Sequence, residues 1–178
     1  MKTHNGIRPQ DIVVLLKIFS LGEEEWLNKD LSKQLFISQS EISESLNRSV
    51  YAGLLGIDKK TIQKSALFGL LVYGLRYIFP IKAGTLAKGI PTAASGPILK
   101  DDFPNENSLV WPDPKMETRG LLIEPLYPKV VDAVKLDPML YDLLALADTF
   151  RVGNDNEVAR AKTLLKNIFE QGDDYISC

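Results

Sequence analysis

The sequence predicts a mainly α-helical fold with one small β-hairpin, an α+β chain, and three observations carry that expectation. Apolar residues recur at i, i+3, i+4 and i+7 in several segments, the period of an amphipathic helix. The stretch Tyr73 to Ile81 abandons that period and is aromatic and β-branched, as a strand would be. Seven of the ten prolines lie between Pro91 and Pro128, leaving little room there for regular structure. At 178 residues, 45% hydrophobic and 25% charged, the composition suits a folded core and excludes wholesale disorder.

The elements follow in order. Pro9 opens the first helix, because its missing N–H would be unpaired at that position anyway. Ile12, Leu15, Leu16 and Phe19 then form an apolar stripe, and Gly22 stops it. A second helix is expected from an Asn28 cap to Leu35, with Leu31 and Leu35 one turn apart. Phe36-Ile37 makes a tight connection, in which Phe36 must either avoid positive φ or accept strain on the order of 1 kcal/mol. The third helix starts at Ser38, where Ser38-Gln39-Ser40-Glu41 has the spelling of a capping box. Ile42, Leu46 and Val50 or Leu54 give its inward face, and Gly53 and Gly56 mark its end.

A fourth helix is expected from Thr61 to about Gly74, with Ile62, Leu67, Leu70 and Leu71 inward. The strand Tyr73 to Ile81 would follow, and Lys82 to Gly89 would turn the tip of a hairpin. Tyr73, Tyr77, Phe79 and Tyr127 read as core. Residues 91–128 read as an irregular wrap or linker with one short strand at Gly120 to Ile123. Within it, Trp111-Pro112-Asp113-Pro114 either clamps the loop onto the core by burying the indole or presents it to a partner. Short helices are then expected from Pro128 to Leu136, from Asp137-Pro138 to Arg151, and from Asp155 to about Gln171.

Much chemistry is excluded. The single histidine is His4 and the single cysteine Cys178, so no His/Cys metal cluster and no Cys/His or Ser/His/Asp nucleophile set is expected. Gly84 to Gly96 lacks the spacings of a phosphate-binding loop. Asp101, Asp102, Glu106 and Asp113 read as a solvated loop rather than an acid–base site. No enzyme activity and no cofactor are expected. Met1 to Ile7 is polar and Ile12 to Leu16 is too short for a secretory signal. The apolar-rich stretch Ser65 to Ile81 is too interrupted to span a membrane. A cytoplasmic protein with no membrane association is the expectation.

Net charge is −2. Residues 1–90 carry 12 Lys/Arg against 8 Asp/Glu, and residues 91–178 carry 9 against 15. A mildly basic front half joined to an acidic back half suits a DNA-facing module attached to something else, although two solvated halves would look the same.

The informative stretch runs from Asp30 to Arg48. Leu31, Leu35, Ile37, Ile42 and Leu46 would brace two helices from behind, leaving Gln39, Ser40, Ser43, Glu44 and Asn47 on the outer face of the second. A plain three-helix packing unit would use the same spacings. The stretch resembles the helix-turn-helix of bacterial transcription regulators. From Arg8 to Leu55, with Trp26 ahead of the motif and Ala52-Gly53-Leu54-Leu55 behind it, the chain is similar to the winged-helix domains of MarR-like regulators. The resemblance implies a winged helix-turn-helix in residues 1–90, residues 91–128 as a wrap or linker, and residues 129–178 as a helical segment and candidate dimerisation element.

It further implies a sequence-specific regulator that binds double-stranded DNA, as a homodimer reading two half-sites. Ser38, Gln39, Ser40, Ser43, Glu44 and Asn47 would serve the recognition helix, Arg48 would reach the DNA backbone or make an internal salt bridge, and Lys64, Arg76, Lys82 and Lys88 would be flanking cations, the last three in the wing. Dimer contacts would come from the first helix or the two C-terminal helices. The alternative is a protein-interaction module, an antitoxin-like partner using the acidic C-terminal half.

Overall fold

The computed structural model describes residues 6–104 and 108–174. His4, Glu106 and Cys178 lie outside the described residues. The fold is mixed α+β, with one small three-stranded sheet. Two compact units form: Met1–Leu67 with Leu126–Leu140, and Phe68–Pro125 with Tyr141–Cys178. That division differs from the expected one. The first boundary falls at Leu67 rather than residue 90, and residues 91–128 supply most of the sheet instead of an irregular wrap.

In the first unit, α1 (Pro9–Leu21) begins at the proline and ends at Gly22, whose φ of 58° glycine adopts without penalty. Every residue from Asp11 to Ile18 is buried, so α1 is a central helix rather than one with a single apolar stripe. α2 (Asn28–Leu35) starts one residue earlier than an Asn28 cap would place it: Leu27 is the cap. The Leu27 N–H is held by Asp30 Oδ2 at 2.9 Å. α3 (Gln39–Tyr51) packs on both α1 and α2. After it, Leu55 and Ile62 bridge antiparallel, so the chain from Leu54 to Gln63 is a tight β-bridged turn and not the start of a helix. α4 (Lys64–Gly69) follows.

Two sequence expectations fail in the second unit. Tyr73 to Ile81 is not a strand: a π turn at Leu70–Gly74 runs into α5 (Leu75–Ile78). Leu67, Leu71 and Leu75 are all buried at a four-residue spacing, and that inward row outweighs the β-branched and aromatic content. The π turn takes up the register so that the row stays inward. Consequently Tyr73 and Tyr77 are exposed, at 61% and 79%, and are not core. There is also no hairpin at 76–88, because the sheet is built elsewhere.

β1 (Leu86–Thr92) is antiparallel to both β2 (Leu109–Pro112) and β3 (Arg119–Leu122), which pair parallel with each other. So tight a sheet needs two close backbone approaches. A Cβ on Gly89 would lie 1.9 Å from the Trp111 carbonyl oxygen, and one on Gly120 would lie 2.2 Å from that of Ser108.

After the short helix α6 (Val130–Ala133), which packs on α2 in the first unit, come α7 (Pro138–Val152) and α8 (Asp155–Asp174). Leu143 to Phe150 on α7 are all buried, as are Ala161, Leu165 and Phe169 on α8. Asp11 to Ile18 of α1 are likewise buried, whereas Phe19 of α1 is half-buried and Met139 of α7 is exposed.

The second unit centres on Asp148. Its Oδ2 accepts from Thr92 Oγ1 at 2.8 Å and from Trp111 Nε1 at 2.7 Å, and its Oδ1 from Arg151 Nη1 at 2.8 Å. Complete burial pushes this carboxyl above its usual range, and the three donors oppose the shift. Arg151 also donates to the Phe79 and Glu124 carbonyls. Trp111 is thus a clamp on the core. Asp113 is buried too, with Oδ1 accepting the Lys115 N–H, so it is no solvated loop residue. Asp102 pairs with Arg160 at 2.8 Å.

Candidate nucleic-acid interface

The connection between α2 and α3 sets the geometry of the candidate site. Phe36 takes the left-handed conformation, φ 57° and ψ 37°, accepting the strain that glycine would avoid. Its N–H and that of Ile37 both reach back to the Ser32 carbonyl, closing the end of α2. Tyr127 donates its hydroxyl to the Phe36 carbonyl at 2.9 Å, bracing the turn from the far side. Burial raises the Tyr127 pKa, with Glu41 adding to the shift, so the hydroxyl keeps its proton.

Ser38 caps α3, its hydroxyl accepting the Glu41 N–H at 3.3 Å. The reciprocal half of the capping box differs from expectation. The Glu41 carboxylate meets the Ser38 hydroxyl at 3.4 Å rather than the serine N–H. The hydroxyls of Ser38 and Ser40 lie 3.2 Å apart.

Behind α3, Ile42, Ser45, Leu46 and Ser49 are buried. The Ser45 and Ser49 hydroxyls have no hydrogen-bond partner, so these small side chains act as spacers that let α3 approach its neighbours closely. In front, Ser38, Gln39, Ser40, Glu44 and Asn47 are exposed and Ser43 is half-buried. One helix face thus brings together the amide and hydroxyl side chains expected there.

Arg48 is the exception on α3. It is buried, its Nε donating to Asp11 Oδ2 at 2.8 Å and its Nη2 to Asp11 Oδ1 at 2.7 Å. This hydrogen-bonded pairing with Asp11 raises the guanidinium pKa despite burial. Glu44 adds a longer contact at 3.6 Å. Arg48 is therefore an internal anchor and not a phosphate ligand. The signal was present in the sequence: Asp11 is a lone acid on the otherwise apolar flank of α1, and such a group needs a buried cation.

The flanking cations divide. Lys64 is half-buried, with its ammonium 5.7 Å from the Phe19 ring in the same unit. Arg76 lies in α5 and donates to the Gly153 carbonyl at 2.6 Å, so it is engaged in the second unit's own packing. Lys82 is exposed in a segment without helix or strand, and Lys88 sits on β1 with Glu117 at 3.6 Å. Arg76, Lys82 and Lys88 do not form a wing, since the hairpin meant to carry them is absent.

Sequence reasoning missed the turn at 54–63. Asp58 ties it, with Oδ1 accepting the Lys60 and Thr61 N–H groups at 3.0 Å and Oδ2 the Thr61 hydroxyl at 2.5 Å. These bonds, the Thr61 hydroxyl first, hold the Asp58 carboxyl down at about 2. Lys59 and Lys60 are exposed beside it, and Lys60 lies 5.7 Å over the Trp26 ring. An aspartate three residues before a threonine, just after the glycine-marked stop at Gly53 and Gly56, was the available sign of a side-chain-locked turn.

Among the described residues no cluster of three or more His, Cys, Asp or Glu side chains is arranged to hold a metal ion. No described helix is long and apolar enough to cross a membrane. In comparison with known proteins, the chain matches no family model, no curated protein and no solved structure.

Proposed function

We propose that the chain is a sequence-specific, double-stranded-DNA-binding transcription regulator that reads its site with α3. One observation carries the reading. A serine-capped helix, fixed from behind by buried Ile42, Leu46 and the Arg48–Asp11 pair, leaves Gln39, Ser40, Glu44 and Asn47 outward. Amide side chains on such a helix pair with the adenine edge in a major groove, serine tolerates several bases, and glutamate accepts from the cytosine amino group. The first amides of α3 beside Ser38 suit a phosphate. The winged-helix resemblance belongs to this proposal, with the turn at 54–63 in the position that follows a recognition helix. Action as a cytoplasmic homodimer is part of the same reading, because one short helix reads too few bases for useful affinity.

Duplex binding measured by anisotropy from 50 to 300 mM salt tests it. Salt-sensitive binding is expected, and Gln39→Ala or Asn47→Ala weakens the selected site by about tenfold or more. Absence of duplex binding at low ionic strength overturns the reading. One observation favours a protein-interaction module instead: Tyr73, Tyr77 and Ile78 are exposed together near the end of one helical run in the second unit. Co-purification of a stoichiometric partner, without DNA affinity, would select that alternative.

A further inference from the structure

We infer that the outer face of residues 68–78 in the second unit seats a second copy of this chain, turned antiparallel about a dyad at Tyr73. The inference supplies a surface for the homodimer of the proposed function, on elements other than the first and C-terminal helices that the resemblance would use. It needs no DNA, so the two readings can fail separately. Three observations lead to it.

The helical run carries two rows at four-residue spacing. Leu67, Leu71 and Leu75 form the buried row. Gly69, Tyr73 and Tyr77 each stand two residues further along, which puts them on the opposite side. Tyr73 and Tyr77 are 61% and 79% exposed, with Ile78 at 49% beside them. Lys162 of α8 donates to the Tyr73 hydroxyl at 2.6 Å, so that ring is held in place before anything covers it.

Gly69 does nothing for the packing of its own chain. Its backbone is ordinary right-handed helix, φ −59° and ψ −43°, and a Cβ there would meet no atom within 4 Å. Glycine in such a place only weakens the helix. Gly74 differs, because a Cβ there would lie 3.1 Å from Leu70 Cδ1. The open space above Gly69 suits a large side chain brought by a partner.

The chemistry of the face selects that partner. Arg76 is the single charged residue from 68 to 78, and its guanidinium is given to the Gly153 carbonyl. The ammonium of Lys162, at the rim, already faces the Tyr73 hydroxyl and ring. A strongly charged partner finds no counter-charge on the outer row, whereas a second neutral face matches it. In the antiparallel copy the partner's Tyr77 covers Gly69, the reverse holds across the dyad, and the two Tyr73 rings meet at its centre. A parallel copy would set tyrosine on tyrosine and glycine on glycine. The tyrosines alone offer about 300 Å² per copy. With Ile78 and the half-buried Leu70 alongside, pairing buries on the order of 1,000 Å² in total, which suits a specific dimer of roughly micromolar affinity.

The test is sedimentation of the full chain without DNA, from nanomolar to high micromolar concentration. A monomer–dimer equilibrium is expected, with a midpoint on the order of micromolar. Tyr77→Ala raises the dissociation constant at least about tenfold, since the dyad counts the change twice. Gly69→Gln also dissociates the dimer, yet it raises the melting temperature of the dilute monomer by about 2–4 °C, because glutamine is the better helix former. Circular dichroism of both variants stays at wild type. A chain that is monomeric at every concentration overturns the inference, and so does a dimer that neither substitution weakens. A complex with a different protein through Tyr77, in place of self-association, overturns it as well. Duplex binding by α3 is decided separately, by anisotropy.

Discussion

The two units place charge in their interiors in different ways. In the first, charges pair between helices: Arg48 on α3 grips Asp11 on α1 through two parallel bonds, and Lys17 on α1 pairs with Asp137. In the second, a single carboxylate gathers three donors, and two of them come from residues 56 and 37 positions away in the chain. The first arrangement fixes the rotation of a helix about its own axis. With Arg48 turned inward onto Asp11, Gln39 lies about a half-turn away and Ser40 and Asn47 about a quarter-turn away, and all three are exposed. The second arrangement joins strands to a helix and leaves nothing to offer. A buried ion pair that orients a free face and one that closes a core differ in consequence, although both need the same desolvation to be offset.

The largest expected effect sharpens that contrast. Asp148→Ala strands a buried Arg151 and removes the acceptor of Thr92 and Trp111, which should lower stability by about 4 kcal/mol. Asp11→Ala strands Arg48, whose side chain keeps 10% of its exposure, and removes the acceptor of the Arg8 N–H that caps α1, and about 3 kcal/mol is expected. The two tryptophans separate these effects, since Trp26 belongs to the first unit and Trp111 to the second. Urea unfolding followed by fluorescence in Trp26→Phe and Trp111→Phe backgrounds reads each unit alone. Asp148→Ala should move the Trp111 midpoint more than the Trp26 midpoint, and Asp11→Ala the reverse. Equal shifts of both probes by either variant would show that the two pairs do not belong to separate units.

The same contrast explains what could be read in advance. In the first unit α1, α2 and α3 lie where Pro9, Gly22 and Ser38 put them, because caps, stops and a 3.6-residue period act between near neighbours. The outward residues of α3 followed from that period alone. The choice for Arg48 between the DNA backbone and an internal salt bridge could not be read locally, since its direction depends on Asp11, 37 residues earlier and on another helix.

In the second unit, the strands are short, contain or adjoin Pro91, Pro112 and Gly120, and pair across long separations, so no local pattern announces them. Tyr73 to Ile81 shows the competition directly. Aromatic and β-branched side chains favour a strand, but burying Leu71 and Leu75 beneath them decided for a helix. The turn at 54–63 was missed for a third reason: it is held by one aspartate side chain and not by any hydrophobic alternation.

A smaller effect probes the braced turn of the candidate interface. Tyr127→Phe removes the hydroxyl that serves the Phe36 carbonyl while keeping the ring, and about 1 kcal/mol of stability should go with it. The loss should appear at the Trp26 probe. An unchanged midpoint there would mean that water replaces the hydroxyl and that Phe36 holds its left-handed conformation unaided.

The last effect appears only in acid. Lys17 and Asp137 form a nearly buried pair in the first unit at 2.6 Å, with side chains 5% and 13% exposed. Burial alone would raise the Asp137 pKa, but bonds from Lys17, the Ser20 hydroxyl and the Leu140 N–H outweigh it and hold the carboxyl below its ordinary 3.8. A carboxyl depressed in the folded state contributes stability that is complete above its unfolded pKa and disappears as pH falls through the folded one. The first unit should therefore lose stability below about pH 4. Asp148, raised by burial, has the opposite sign and a higher window: its proton is bound more tightly in the folded chain, so acidification from its folded pKa down to its unfolded one favours the second unit.

Asp137→Asn isolates the charge, because asparagine keeps an oxygen for the Leu140 N–H that caps α7. The variant should be less stable than wild type at pH 7, and the gap at the Trp26 probe should narrow toward pH 3. A gap that stays constant with pH would assign the stabilisation to hydrogen bonding alone. The two units would then no longer differ in how they answer to protons.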